Sequence, residues 1–265
     1  MAEGMKDIIN DLVAEQVYVD GLVNHLSEEQ FLKKIPAEIV KTWDIKDEII
    51  HIAFFDYAAK KLMRGTASDL MEISKEADQD DYYRALKYRY MTGEEALNWW
   101  REERTQMTAT FYDTQPKDRI PWAPGLPMSA KSLVSARLME LWGHSVDICD
   151  ALGLEPVVED RIKSTLFLSW RARPNAYRIN HIDLPETPIY LELTLPSGKL
   201  WTQGDPQAAD YIRGSAKEWA LVSVRRRNWM DTDLTVVGQE ARRYASIVQT
   251  FAGEAEEAPP ARRLR

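Results

Sequence analysis

The chain is short of the residues that most often carry chemistry: of its 265 residues, one is cysteine and four are histidine. The lone Cys149 excludes an intramolecular disulfide and fits a reducing compartment. No stretch approaches the ~18 consecutive apolar residues of a membrane span, so a membrane is not an expected partner. The opening residues, MAEGMKDIINDL, lack the basic start and apolar run of a secretory signal, and a cytoplasmic protein is expected. Basic residues are outnumbered 34 to 42, for a net charge of -8. That balance argues against nucleic acid, which needs clustered Lys and Arg. The one dense basic run, Arg225-Arg226-Arg227, suits a carboxylate or phosphate on a small molecule better than a duplex.

What is present is an ordinary globular mixture, 45% hydrophobic and 29% charged, long enough for two domains. The nine tryptophans are expected mainly in cores or at interfaces. Residues 5–26 carry Ile8, Ile9, Leu12, Val13, Val19, Leu22, Val23 and Leu26 at helical spacing. Residues 27–42 read as a connection. Asp44 is placed to cap a second long helix reaching about Arg64, with Asp47 and Glu48 in its first turn, where the helix dipole favours acids. The polar run 77–90 reads as an excursion. Thr92 and Glu95 make a capping box for a third helix to about Phe111. Four prolines and a glycine between Gln115 and Pro127 predict a loop. Ser129 caps a fourth helix ending at Gly153. Residues 1–153 are therefore expected to form a four-helix bundle.

Beyond Pro156 the pattern changes. Residues 161–177 read as a helix interrupted by Pro174. IYLELTL (189–195) alternates as a half-buried strand does, 196–199 is a turn and 200–203 a return strand. Helices are expected over 206–227 and 238–251. Residues 154–253 thus predict a small α+β domain, and 254–265 a disordered tail.

One constellation stands out. Glu140 and His144 are four residues apart on the fourth helix, on one face and one turn from each other. They flank the stripe of Val134, Leu138, Leu141, Ser145, Ile148 and Leu152. His51 sits among isoleucines and phenylalanines on the second helix. Two histidines and a glutamate form a ligand set that zinc accepts in catalytic sites, with Asp147 and Asp56 placed to orient the ligands. Spacing leaves a second reading open, because Glu-x-x-x-His pairs are common and a histidine in an apolar run often belongs to the core. Cys149 has no basic neighbour to activate it, and His25 and His181 sit in structural contexts.

Three segments bear on the choice. PWAPGLPMSAKSLVSARLMELWGHSVDICDALG (121–153) resembles a signature of the DinB and mycothiol-dependent maleylpyruvate isomerase superfamily. TWDIKDEIIHIAFFDYAA (42–59) resembles its second-helix signature. LWTQGDPQAADYIRGSAKEWALVSVRRRN (200–228) is similar to the C-terminal, sterol-carrier-like α+β domain of a metal-binding subfamily. The resemblance implies a four-helix DinB-like bundle whose metal is held by a histidine of the second helix and a Glu-x-x-x-His of the last. These positions fall on His51, Glu140 and His144.

The resemblance also implies an arginine from the C-terminal domain acting in isomerase members. Arg226 and Arg227 lie in the matching stretch, with Arg171 and Arg173 behind them; a guanidinium there holds a substrate carboxylate bidentately, or else ends a helix in solvent. The expected activity is metal-dependent isomerisation, transfer or elimination on a small organic acid or secondary metabolite, with mycothiol or another small thiol as co-reactant. The alternative is a non-catalytic, metal-containing small-molecule-binding protein, with Trp99, Trp100, Trp122 and Trp142 around an apolar ligand. Zinc, nickel and iron all suit the ligand set. The oligomeric state is open, a homodimer included.

Overall fold

The computed structural model describes residues 4–36, 42–80, 84–123 and 126–262. The chain divides into two compact units, Met1–Pro156 and Val157–Arg265.

In the first unit, among the described residues, four long helices form the frame: α1 (Met5–Val23), α3 (Ile45–Met63), α5 (Gly93–Asp113) and α6 (Ala130–Leu152). A single turn, α2 (Glu28–Phe31), and a short helix, α4 (Leu70–Ser74), lie in the connections. Three of the four long helices start where a side chain caps them. Asp44 accepts from the Asp47 amide at 3.0 Å, and Asp47 returns the bond to the Asp44 amide. Thr92 and Glu95 do the same for α5, and Ser129 accepts from Ser132 for α6. Gly153 ends α6 with φ +70°, a left-handed conformation that disfavours side chains with a Cβ. The bundle core holds Leu12, Val19, Ile45, Ile49, Phe54, Trp100, Phe111 and Val134, all essentially inaccessible. Part of the polar run 77–90, residues 81–83, lies outside the described residues; the rest forms short turns, including the 3-10 turn Leu86–Tyr88.

The expected loop before α6 is instead a hairpin, β1 (Arg119–Ala123) and β2 (Leu126–Ser129), with Ile120 opposite Met128. Its prolines are compatible because a two-stranded ribbon leaves half its amides unpaired, and Pro121 falls where the register slips between Ile120 and Ala123.

The second unit begins with α7 (Lys163–Arg171) and α8 (Arg173–Ile179), broken as Pro174 predicts. Four strands follow with two helices interleaved: β3 (Ile189–Thr194), β4 (Leu200–Gly204), β5 (Asp210–Ser215), α9 (Ala216–Ser223), β6 (Thr235–Val237) and α10 (Gln239–Ile247). The sheet order is β4-β3-β5-β6, with β3 and β5 parallel and the outer pairs antiparallel. The helix expected from Pro206 therefore begins only at Ala216. Tyr211 and Ile212 favour a strand, and Gly214, at φ +144° with Leu234 packed against it, has left helical space. Trp219 and Tyr244 pack at 5.8 Å in this core, both tied to Ser169. Among the described residues, the tail expected to be disordered from 254 has no helix or strand but is anchored to its own unit as far as Arg262. Arg225 donates to the Glu256 carbonyl, Asn228 to that of Pro259 at 2.9 Å, and the Arg262 amide to Asp231 at 2.9 Å.

Candidate metal centre

The packing of α3 on α6 brings the three sequence-selected side chains together. One donor atom each from His51, Glu140 and His144 lies within 4.8 Å of the others. The His144 Nε2 to Glu140 Oε2 separation is 3.4 Å, and the two imidazole centroids are 4.6 Å apart. Two ligands ~2.1 Å from a tetrahedral ion stand about 3.4 Å from each other. The Glu140–His144 pair already has that spacing. Oxygen and nitrogen donors of this kind fit a zinc-like divalent cation.

His144 is oriented from its other side. Its Nδ1 lies in hydrogen-bond contact with Glu48 Oε2 at 2.5 Å, and Asp147 Oδ2 stands further off at 3.8 Å. Glu48 and Asp147 are completely buried. Burial pushes the His144 pKa down, but Glu48 and then Glu140 overcome it and raise it to about 9. The carboxylates thus favour positive charge at this spot, which a proton or a metal ion supplies.

Aromatic rings enclose the imidazoles. Trp43, next to the α3 cap, is stacked on His144 at 6.2 Å with 6° between planes, and meets His51 at 5.0 Å. Phe55 lies 4.6 Å from His51, and Trp122 of the hairpin lies 6.1 Å from Phe55. Neither Glu48 nor Trp43 was selected by spacing. Glu48 carried a signal, standing three residues before His51 on the same helical face; its acidic first-turn position explained it too easily. Trp43 carried none.

Other expectations resolve differently. Asp56 does not orient a ligand. Its carboxylate accepts from Arg137 Nε at 3.0 Å and from Trp100 Nε1 at 3.1 Å, a buried bridge linking α3, α6 and α5. Trp100 and Trp142 are buried in the first unit, and Trp99 meets Tyr88 at 4.6 Å with the rings tilted by 35°. Burial raises the Cys149 thiol pKa, opposed by the Tyr18 hydroxyl at 3.5 Å. Arg173 is bound to Glu240 at 2.7 Å, and Arg171 is exposed. In the second unit, Arg226 and Arg227 follow α9 half-buried and donate to the Val224 and Arg226 carbonyls, each at 2.8 Å.

A helix-rich, DinB-like frame with a His-Glu-His cluster between two helices, followed by a small sheet-containing unit, defines the class of protein. Within that class, residues 12–149 match the family model described as the mycothiol maleylpyruvate isomerase N-terminal domain, and the chain belongs to this family. Two uncharacterised proteins of Mycobacterium tuberculosis, from strains CDC 1551 / Oshkosh and H37Rv, are each 32% identical to it over 259 residues, 96% of both chains. Its fold is similar to crystal structures of the mycothiol-dependent maleylpyruvate isomerase, at TM-score 0.55 and 13% identity, and of a mutant of that enzyme, at 0.57 and 14%. Each comparison covers 84% of this chain and 90% of the other. Among the described residues, no helix is long and apolar enough to cross a membrane.

Proposed function

We propose that the chain is a divalent-metal enzyme of the isomerase type, acting on a small organic acid with a low-molecular-weight thiol as co-reactant. The carrying observation is the convergence of His51, Glu140 and His144 within 4.8 Å between α3 and α6. Family membership and the fold shared with the mycothiol-dependent isomerase support the thiol and the reaction type. A bound divalent ion held by three protein donors supplies Lewis acidity and a position for an incoming ligand. The chain's own residues would hold and orient it: His51 and His144 would offer nitrogen, and Glu140 oxygen and one negative charge. Trp43 and Phe55 flank the imidazoles and restrict their ring planes. Arg226 or Arg227 is proposed to hold a substrate carboxylate, a role in which lysine replaces arginine poorly.

The test pairs metal analysis with turnover. Purified protein is expected to carry about one divalent ion per chain and, with mycothiol, to isomerise maleylpyruvate or a related unsaturated acid. His51→Ala is expected to lose both ion and turnover, and Arg226→Lys or Arg227→Lys to raise KM. A wild-type protein that takes up neither zinc, nickel nor iron overturns the reading.

A further inference from the structure

We infer that Glu48 is a positioning residue for the metal centre, fixing His144 so that Nε2 faces the ion. The inference rests on the metal reading above and extends it to a residue that reading does not contain.

A histidine ligand has two nitrogens, and which one serves depends on what the other donates to. Here the choice is made by the fold. Glu48 and His144 come from different helices, yet the carboxylate lies 2.5 Å from Nδ1 while Glu140 lies 3.4 Å from Nε2. A carboxylate only accepts, so the proton on that edge belongs to Nδ1 and Nε2 is left for the cation. Trp43, parallel to the ring within 6°, restricts its rotation. Glu48 is wholly inaccessible, and burying a carboxylate is costly unless a specific partner holds it. A surface helix-dipole role does not require that burial. The negative charge behind the imidazole also makes Nε2 a stronger donor, as in other carboxylate–histidine–metal arrangements.

A competing geometry exists, because Glu48, His144 and Asp147 also bring donor atoms within 4.8 Å of one another. There Glu48 would itself be a ligand and the ion would sit on Nδ1. The two arrangements differ in what Glu140 does.

The experiment measures zinc affinity by chelator competition, at one pH, for wild type, Glu48→Gln, Glu48→Ala and Glu140→Gln, with metal-free melts run in parallel. Glu48→Ala is expected to weaken binding about 10- to 100-fold. Glu48→Gln should weaken it less, because the amide oxygen still accepts from Nδ1–H. Glu140→Gln should weaken it more than either, with wild type holding one ion. A nitrogen-15 spectrum of the zinc protein should show His144 protonated at Nδ1. The glutamine variant keeps the side-chain volume, so the measurement stands even if the alanine variant unfolds. The inference is overturned if Glu48→Gln and Glu48→Ala bind zinc as tightly as wild type. It is also overturned if Glu48→Gln abolishes binding while Glu140→Gln does not, or if two ions bind per chain. A wild-type protein that binds no ion removes the metal reading and this inference together, whereas tight binding by all Glu48 variants removes this inference alone.

Discussion

Two buried polar clusters lie between the same two helices, α3 and α6, and they are built on opposite principles. Around Asp56, one carboxylate meets one guanidinium and one indole N–H: Arg137 at 2.9 and 3.0 Å, and Trp100 at 3.1 Å. The charges match and the donors are spoken for. Around His144, within two turns along the same helices, Glu48, Glu140 and Asp147 gather three carboxyl groups about one imidazole, with a second imidazole beside them. The first cluster balances itself, as a structural bridge does. The second concentrates negative charge where a divalent cation would be held. Similar residue types and the same helix pair thus separate into a brace and a candidate site, and the difference lies in the charge count.

The sharpest way to break this comparison is to unbalance the brace. Arg137→Met leaves the Asp56 carboxylate, only 3% exposed, without its counter-charge. Removing one partner of a buried pair costs on the order of 3–5 kcal/mol. Urea unfolding should show a loss of that size with zinc binding retained in whatever protein remains folded. A loss below about 1 kcal/mol would mean that the bridge is wetter and weaker than its geometry implies.

The proposed metal site should respond in the opposite way, gaining stability from outside. At a free zinc concentration 100-fold above Kd, an ion that binds only the folded chain adds about 2.7 kcal/mol. Thermal melts with and without zinc should show that increment in wild type, and His51→Ala should abolish it. An increment surviving in His51→Ala would place the ion elsewhere.

Between these lies Trp100. Its indole donates to Asp56 while the Arg104 guanidinium lies 4.4 Å from the ring centroid. Trp100→Phe keeps most of the packing and removes one hydrogen bond to a buried carboxylate, a loss of about 2 kcal/mol. Because burial is the largest influence on Asp56 and raises its pKa, with Arg137 opposing, losing the indole donor should raise it further. An unchanged urea midpoint would show that Arg137 alone satisfies Asp56.

The sequence made the brace and the site legible to different degrees. His51, Glu140 and His144 were readable as candidates because helical spacing places the last two on one face, the first stands out as a histidine in an apolar run, and the family resemblance points to all three. The long helices were readable from caps such as Asp44, Thr92 and Ser129, which are local signals. Contacts across helices were not. Nothing within α3 says that Asp56 meets Arg137, 81 residues away, or that Glu48 meets His144, 96 residues away. In the second unit, β5 was read as helix because its parallel pairing with β3 is also a distant fact, with Leu191 opposite Ile212. The hairpin before α6 was hidden by its prolines, which mark a loop locally and fit a two-stranded ribbon once paired.

A third ion cluster in the same bundle sharpens the comparison from the exposed side. Asp20 of α1 meets Arg101 at 2.8 Å and Arg104 at 2.6 Å on α5, where Arg101 is 38% exposed. The Arg101 hydrogen bond lowers the Asp20 pKa below its ordinary value near 3.8; burial opposes, and the Arg104 charge adds to the lowering. A depressed folded pKa gives stability that is complete above 3.8 and is lost as the pH falls through the lower folded value. Solvent screening keeps the contribution to a few tenths of a kcal/mol. Asp20→Asn should therefore lower the urea midpoint slightly at pH 7, and the gap to wild type should close in acid, as the pH falls below 3.8 through the lowered folded value. If the gap is the same at both pH values, the arginines do not distinguish the charged carboxylate from an amide. Exposure would then have reduced this cluster to packing, while the brace around Asp56, with the same charges buried, would still respond to the loss of one partner.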